Sequence, residues 1–112
     1  MVVKEKLFAY FRDKENKYVA LSNGAEVKLM YVSGVSDREL NLMFEHERSN
    51  IWIKFSFFSP KDDGFIMMEV PEEYYDNTQI RVDSMNHIGF VINETLCNWT
   101  ENKDDIGLEW RG

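Results

Sequence analysis

The residues best suited to catalysis or metal binding in this chain are two histidines, His46 and His87, and one cysteine, Cys97. A zinc site needs three or four such ligands at a recognisable spacing. A cysteine nucleophile needs a base held beside it. These three residues are scattered along the chain, and simpler interpretations fit them: polar histidines at strand ends and a small buried thiol. We therefore predict no catalytic residue, no metal site and no cofactor.

Carboxylates are abundant, since 20 of the 112 residues are Asp or Glu. Asp62-Asp63-Gly64 and Asp104-Asp105 could offer oxygen atoms to calcium, but neither has the spacing of a calcium-binding loop. At this density some pair of acids will always resemble the two carboxylates of a glycosidase, so that signal carries no information. Glycine-rich phosphate loops and nucleophile elbows are absent from the sequence. An enzyme is the least supported class, and we predict that the protein is not one.

The acidic and aromatic stretch Glu72, Glu73, Tyr74, Tyr75 and Asp76 is the candidate partner-binding site. Tyrosine is enriched at protein interfaces because it combines a large rigid contact area with a polar tip. Flanking carboxylates would steer a basic partner towards it. The alternative is an ordinary charged surface loop whose two tyrosines pack back onto the core.

The sign of the charge changes along the chain. Residues 1–38 hold seven Lys or Arg and five Asp or Glu. Residues 39–112 hold six Lys or Arg and fifteen Asp or Glu. An acidic half of this kind attracts basic proteins and repels nucleic acid, whose binding needs a cationic groove. We therefore expect a basic protein partner, such as a toxin or an enzyme, and no nucleic acid.

No segment is apolar for long enough to cross a membrane as a helix, which takes about 20 residues. The longest near-continuous apolar run, Ile51 to Phe58, is interrupted by Lys54 and Ser56. The first residues contain no apolar stretch typical of a secretory signal. With a single unpaired cysteine, a reducing compartment is expected. We predict a cytoplasmic protein that does not bind membranes.

The elements that would position these residues are short strands, because turn signals recur about every 8–12 residues. Asn23-Gly24 predicts a hairpin with a type I′ turn. In the strand after it, the alternation places Val27, Leu29 and Tyr31 on one face. Residues 39–44 alternate equally clearly, and residues 51–58 pair with residues 65–70 to form the expected centre of the core.

The remaining segments are less regular. Weak helical periodicity covers residues 2–11, and one helical turn could begin after Pro71. Residues 79–83, 87–93, 95–100 and 106–110 are interpreted as further short strands.

Together these patterns predict a single all-β domain over residues 1–112. It would be mostly antiparallel, with seven to nine short strands in a sandwich or a partly open barrel and room for one short helix. The expected function is that of a non-enzymatic acidic protein-binding domain, an inhibitor or immunity-type protein that neutralises a basic enzyme or toxin. Two alternatives stay open: a small-ligand or carbohydrate-binding module that stacks its ligand on Trp52, Trp99 or Tyr75, and a phage or secretion assembly subunit. The sequence leaves the oligomeric state open.

Overall fold

The computed structural model describes residues 4–36, 38–57, 66–75 and 78–111. For residues 102–111 it describes the backbone alone. Six strands form one sheet, in which every neighbouring pair is antiparallel and the spatial order equals the chain order. A helix precedes the sheet and a second helix follows it. The elements are α1 (Lys4–Asp13), β1 (Tyr18–Ala20), β2 (Glu26–Ser36), β3 (Glu39–His46), β4 (Ser49–Phe57), β5 (Ile66–Glu69), β6 (Gln79–Val82) and α2 (Met85–Arg111).

Both helices lie on the same face of the sheet. The ring of Phe11 in α1 lies 5.8 Å from that of Phe55 in β4. In α2, Ile88 lines a cleft together with Phe11 and Phe44, which places that helix on the same side. The core therefore lies between one layer of helices and one face of the sheet, as in other two-layer domains. Its strand residues are Val27, Leu29, Val32, Leu40, Leu42, Phe44, Ile51, Ile53, Phe55, Ile66, Met68 and Val82.

Two tight hairpins fix the register within the pairs β1–β2 and β3–β4. The predicted connection at Asn23-Gly24 is present, and the side-chain Oδ1 of Asn23 accepts a hydrogen bond from the backbone N–H of Ala25 at 3.0 Å. In that pair Gly24 alone has positive φ, at 92°. Two successive positive φ angles, the mark of a type I′ turn, occur instead at Glu47 (48°) and Arg48 (75°), between β3 and β4.

A bulge in β2 changes which side chains face the core. The register shifts between Leu29 and Tyr31, because Leu29 is opposite Phe44 and Tyr31 is opposite Met43. One extra residue in a strand reverses the facing of everything after it. Val32 is therefore buried and Tyr31 is exposed. The prediction that Tyr31 shares a face with Leu29 is wrong for this reason.

The mostly antiparallel β character is confirmed, but several finer predictions are wrong. The described residues form six strands rather than seven to nine, and these make one open sheet in place of a sandwich or barrel. Residues 87–93, 95–100 and 106–110 belong to α2 instead of three strands. The weak periodicity near the start marks a real helix, α1. The segment after Pro71 forms a hydrogen-bonded turn, from Tyr74 N–H to Pro71 C=O at 3.1 Å, without a helix.

Some predictions lie outside the described residues, namely Asp76, the Asp62-Asp63-Gly64 loop and the side chains of Asp104 and Asp105. Within the part of the chain that the structure describes, neither helix combines the length and the apolar character that a membrane crossing requires.

Candidate partner-binding surface

The three residues suited to catalysis or metal binding lie in separate places. His46 ends β3, where its ring packs against Trp99 at 5.9 Å. His87 lies in the first turn of α2 rather than in a strand, with its Nδ1 3.6 Å from Asp83 Oδ1. Cys97 is buried further along α2. Among the residues that the structure describes, no three His, Cys, Asp or Glu side chains gather as a metal site would require.

The predicted site residues Glu72 to Tyr75 form a turn that is fastened to α2. The side-chain Nδ2 of Asn98 donates a hydrogen bond to the backbone oxygen of Tyr74 at 2.8 Å. Tyr74 and Tyr75 are half-buried and pack against the core, whereas Glu72 and Glu73 are exposed. The structure thus brings four of the five predicted site residues to one anchored turn, with the carboxylates directed to solvent and the tyrosines held underneath.

Burial raises the pKa of the Tyr74 phenol, and the neighbouring Glu73 carboxylate raises it further. The unfolded chain would titrate near the ordinary value of about 10. The native state therefore holds this proton more tightly than the unfolded state does. We expect the contribution of Tyr74 to stability to be constant below about pH 10 and to fall as the pH rises through the higher native pKa.

Phenolate absorbance during an alkaline titration, compared with that of the Tyr74→Phe variant, isolates the titration of this residue. Glu73→Gln should lower the pKa of Tyr74 only in part, because burial is the larger cause. A full return to the ordinary pKa in Glu73→Gln would contradict this assignment.

The opposite face of the sheet carries a row of two exposed aromatic side chains with a half-buried methionine between them. Register places Tyr31, Met43 and Trp52 side by side on β2, β3 and β4. Tyr31 is 53% exposed and Trp52 is 46% exposed, and their ring centroids lie 6.4 Å apart in an edge-to-face arrangement. Within the described part of the chain, no helix or strand covers this face. The row is therefore an apolar centre in contact with solvent.

Charged side chains frame this row. Lys54 in β4 lies between Glu39 and Glu69, with its Nζ 3.7 Å and 3.9 Å from their carboxylate oxygens. On the other side of the row, Lys28 and Glu45 are cross-strand neighbours. An apolar centre with a charged rim is the usual anatomy of a protein–protein interface.

The acidic turn follows β5, just beyond its last pairing with β4. That last pair is Lys54 and Glu69, and the exposed Glu72 and Glu73 come three and four residues after Glu69. We group Tyr31, Met43 and Trp52 with Glu72 and Glu73 under the name open-face surface.

Sequence reasoning identified the acidic half of this region and missed its aromatic centre. The alternation in β4 sets Trp52 on the face opposite Ile53, as the structure does, whereas the pattern in β2 predicts Tyr31 on the face of Val27 and Leu29. The bulge at Met30 leaves no clear trace in the sequence. Of the predicted stacking residues, Trp99 is buried in the middle of α2 and Tyr75 is half-buried, which leaves Trp52 as the accessible one.

The fold thus defines a two-layer domain, an open antiparallel meander with both helices on one face. Comparison with protein-family models, with curated proteins and with solved structures finds no match for this chain.

Proposed function

We propose that this chain is a non-enzymatic protein-binding domain, an inhibitor or immunity-type protein that neutralises a basic enzyme or toxin by binding it on the open-face surface. The half-exposed pair of Tyr31 and Trp52, on a sheet face that no described helix or strand covers, carries the proposal. Exposed aromatic residues in a contiguous patch mark interaction sites. Trp and Tyr are also the residues that most often dominate binding energy.

The shape of the surface favours a macromolecular partner over a small ligand. Small molecules bind in concave sites that bury most of their surface. Tyr31, Met43 and Trp52 instead lie across three adjacent strands of a sheet, and a broad surface of this kind is covered best by another protein. The edge-to-face contact between the two rings restricts their rotamers before any partner binds, which lowers the conformational entropy lost on binding.

The charge of the surface favours a basic partner. Among the described residues of this sheet face, the cations Lys28, Lys54 and Arg81 are outnumbered by the acids Glu26, Glu39, Glu45 and Glu69. The exposed Glu72 and Glu73 add negative charge at one end, and the whole chain carries a formal net charge of −7. Such a field accelerates association with a positively charged protein and weakens as salt is added. We place this activity in the cytoplasm, where the single Cys97 would stay reduced.

The test is comparative capture from cells that make the protein. The wild-type chain, Trp52→Ala and Tyr31→Ala are immobilised at equal density beside a control, Phe90→Ala. Phe90 is equally aromatic and 59% exposed, but it lies on α2 on the other side of the sheet. We expect a basic protein to be retained by the wild type and the control, and its affinity to fall about 30-fold or more in Trp52→Ala. Equal retention by all four proteins would refute the assignment of the surface.

Association kinetics with the captured protein test the acidic part separately. Glu72→Lys/Glu73→Lys should slow association by about tenfold at low salt and leave dissociation nearly unchanged. Glu5→Lys/Asp13→Lys makes the same charge change on exposed residues of α1 and serves as the control. If both double variants slow association equally, net charge and not the anchored turn steers the partner.

The assembly-subunit alternative receives less support from the structure. Strand addition needs a long accessible edge. The edge strands of the described sheet are β1, with three residues, and β6, with four. The small-ligand alternative is favoured by one specific feature, a cleft on the helix side of the sheet.

A further inference from the structure

A cleft of about 400 Å³ opens between α1, α2 and the β1–β2 hairpin. Its walls include Phe11 of α1, Leu29 and Phe44 of the sheet, and Ile88 and Ile92 of α2. All five side chains are buried and apolar. Its size falls within the range of about 300–1,000 Å³ typical of small-molecule sites. The cleft lies on the helix side of the sheet, so it is separate from the open-face surface.

The charged residue that lines this cleft is opposite in sign to the net charge of the chain. Asp and Glu make up 20 of the 112 residues, yet none of the residues lining the cleft is acidic. The charged side chain among them is a cation, Lys14. A site that combines apolar walls with one ammonium group complements a molecule that has an apolar body and one negative charge.

Other polar groups near the cleft are held in place by the protein itself. Nδ2 of Asn93 donates to the hydroxyl of Ser22 at 2.8 Å, and Oδ1 of Asn93 accepts from the backbone N–H of Ser22 at 3.0 Å. These bonds tie the β1–β2 hairpin to α2 and preform one wall. Lys14 lies over the ring of Tyr10, with its Nζ 5.3 Å from the ring centroid, which leaves its N–H groups able to donate to an anion.

Gly89 keeps the α2 side of the cleft open. It lines the cleft, and a Cβ atom added there would meet nothing within 4 Å. Glycine in a helix costs about 1 kcal/mol relative to alanine. The open space beside Gly89 therefore allows a larger residue to be introduced to fill the cleft without a backbone clash.

We propose that this cleft binds a small amphipathic carboxylate, with an aliphatic chain of about eight to twelve carbons among the buried residues and the carboxylate paired with Lys14. A chain of this length fits within the cleft volume of about 400 Å³. Burial of its methylene groups provides most of the affinity, and the ion pair sets the preference for an anion.

Decanoate is the probe, and methyl NMR spectra of the full chain are the readout. We expect the methyl signals of Ile88 and Ile92 to shift on titration, while those of Ile53, which is buried in the core but does not line the cleft, stay in place. Decanol and decyltrimethylammonium, which share the decyl chain but not the negative charge, should bind more weakly. Shifts spread over the exposed residues of the whole chain, or no shifts at millimolar decanoate, would overturn the proposal.

Two variants and one control test the roles of individual residues. Lys14→Gln should weaken decanoate binding about five- to tenfold and leave decanol binding unchanged. Lys17→Gln removes an exposed cation three residues away that does not line the cleft, and it should change neither. Gly89→Phe should abolish binding of both compounds while the protein stays folded.

Retention of decanoate binding in Gly89→Phe would place the ligand elsewhere and refute the site. Equal weakening in Lys14→Gln and Lys17→Gln would refute the ion pair. Because the open-face surface contributes no residue to the cleft, failure here leaves the proposed protein-binding function untouched, and failure of partner capture leaves this site untouched.

Discussion

Replacing Phe55 with alanine is expected to lower the free energy of unfolding by about 3–5 kcal/mol. Phe55 is fully buried in β4, an interior strand of the sheet, between Leu40 on β3 and Met68 on β5. Its ring also contacts Phe11, so it joins the sheet to α1. Alanine would remove both sets of contacts and leave a cavity that the rigid sheet cannot close. Small domains are stable by only about 5–15 kcal/mol, so this loss would leave a barely folded protein.

Phe90→Ala is the matched control, because it removes the same atoms from a side chain that is 59% exposed on α2. We expect its effect to stay within about 0.5 kcal/mol. Urea unfolding followed by circular dichroism measures both variants under identical conditions. If the two changes cost the same, Phe55 does not lie in the core that the register of β3, β4 and β5 defines.

The alternation of apolar residues was sufficient to predict the centre of this sheet. Leu40, Leu42 and Phe44 in β3 are buried as their spacing predicts, and so are Ile53 and Phe55 in β4. A strand half-covered by a helical layer must alternate in this way, so the sequence pattern reports directly on the structure. The acidic turn after Pro71 was equally visible, because proline and charged residues interrupt a strand pattern.

The second helix could not be recognised from residue types alone. Its first half contains Ile88, Val91 and Ile92, β-branched residues that are typical of strands. The spacing of the buried residues is nonetheless that of one helix face, with members at 88, 91, 92, 95, 96 and 99. Dividing the segment into several short strands hides this spacing. Ser84 is the N-cap of α2, since its Oγ accepts a hydrogen bond from the backbone N–H of His87 at 3.1 Å.

The aromatic centre of the open-face surface was missed for a different reason. Tyr31 reaches that face because of a single bulge, and the alternation of residue types in β2 does not predict a bulge. The backbone N–H of Val32, just past the bulge, donates to the side-chain Oε2 of Glu15 at 3.0 Å. A contact between residues 17 positions apart helps to hold the altered register, and such a contact becomes visible only when the chain is folded.

Two buried threonines on α2 should respond in opposite directions to the same change. Thr95 is fully buried, and its Oγ1 has no hydrogen-bond partner among the described residues. Thr100 is 1% exposed, but its Oγ1 donates to the backbone oxygen of Cys97 at 3.0 Å and accepts from Nδ2 of Asn23 at 3.1 Å. Valine has nearly the shape of threonine and lacks the hydroxyl, so it separates packing from hydrogen bonding.

Thr95→Val should raise the free energy of unfolding by about 1 kcal/mol, because a buried hydroxyl without a partner carries its desolvation cost uncompensated. Thr100→Val should lower it by about 1 kcal/mol, because it removes the hydrogen bonds of the Thr100 hydroxyl to Cys97 and Asn23 and leaves the exposed Asn23 amide with its 3.4 Å contact to the backbone oxygen of Cys97. The helix propensities of Val and Thr are similar and cancel from the comparison. Urea unfolding of both variants provides the measurement, and a stabilising change of this size would also raise the melting temperature by about 4 °C.

A double-mutant cycle identifies the source of the loss at Thr100. Asn23→Ala alone should destabilise the protein, and Thr100→Val should cost much less in that background, because the shared hydrogen bond is already absent. This bond joins the first hairpin turn to the second helix across 77 residues of sequence, so its loss should loosen the packing of the hairpin against α2. Destabilisation of similar size by Thr95→Val and Thr100→Val would contradict the assignment, because it would mean that the two hydroxyls are equally satisfied.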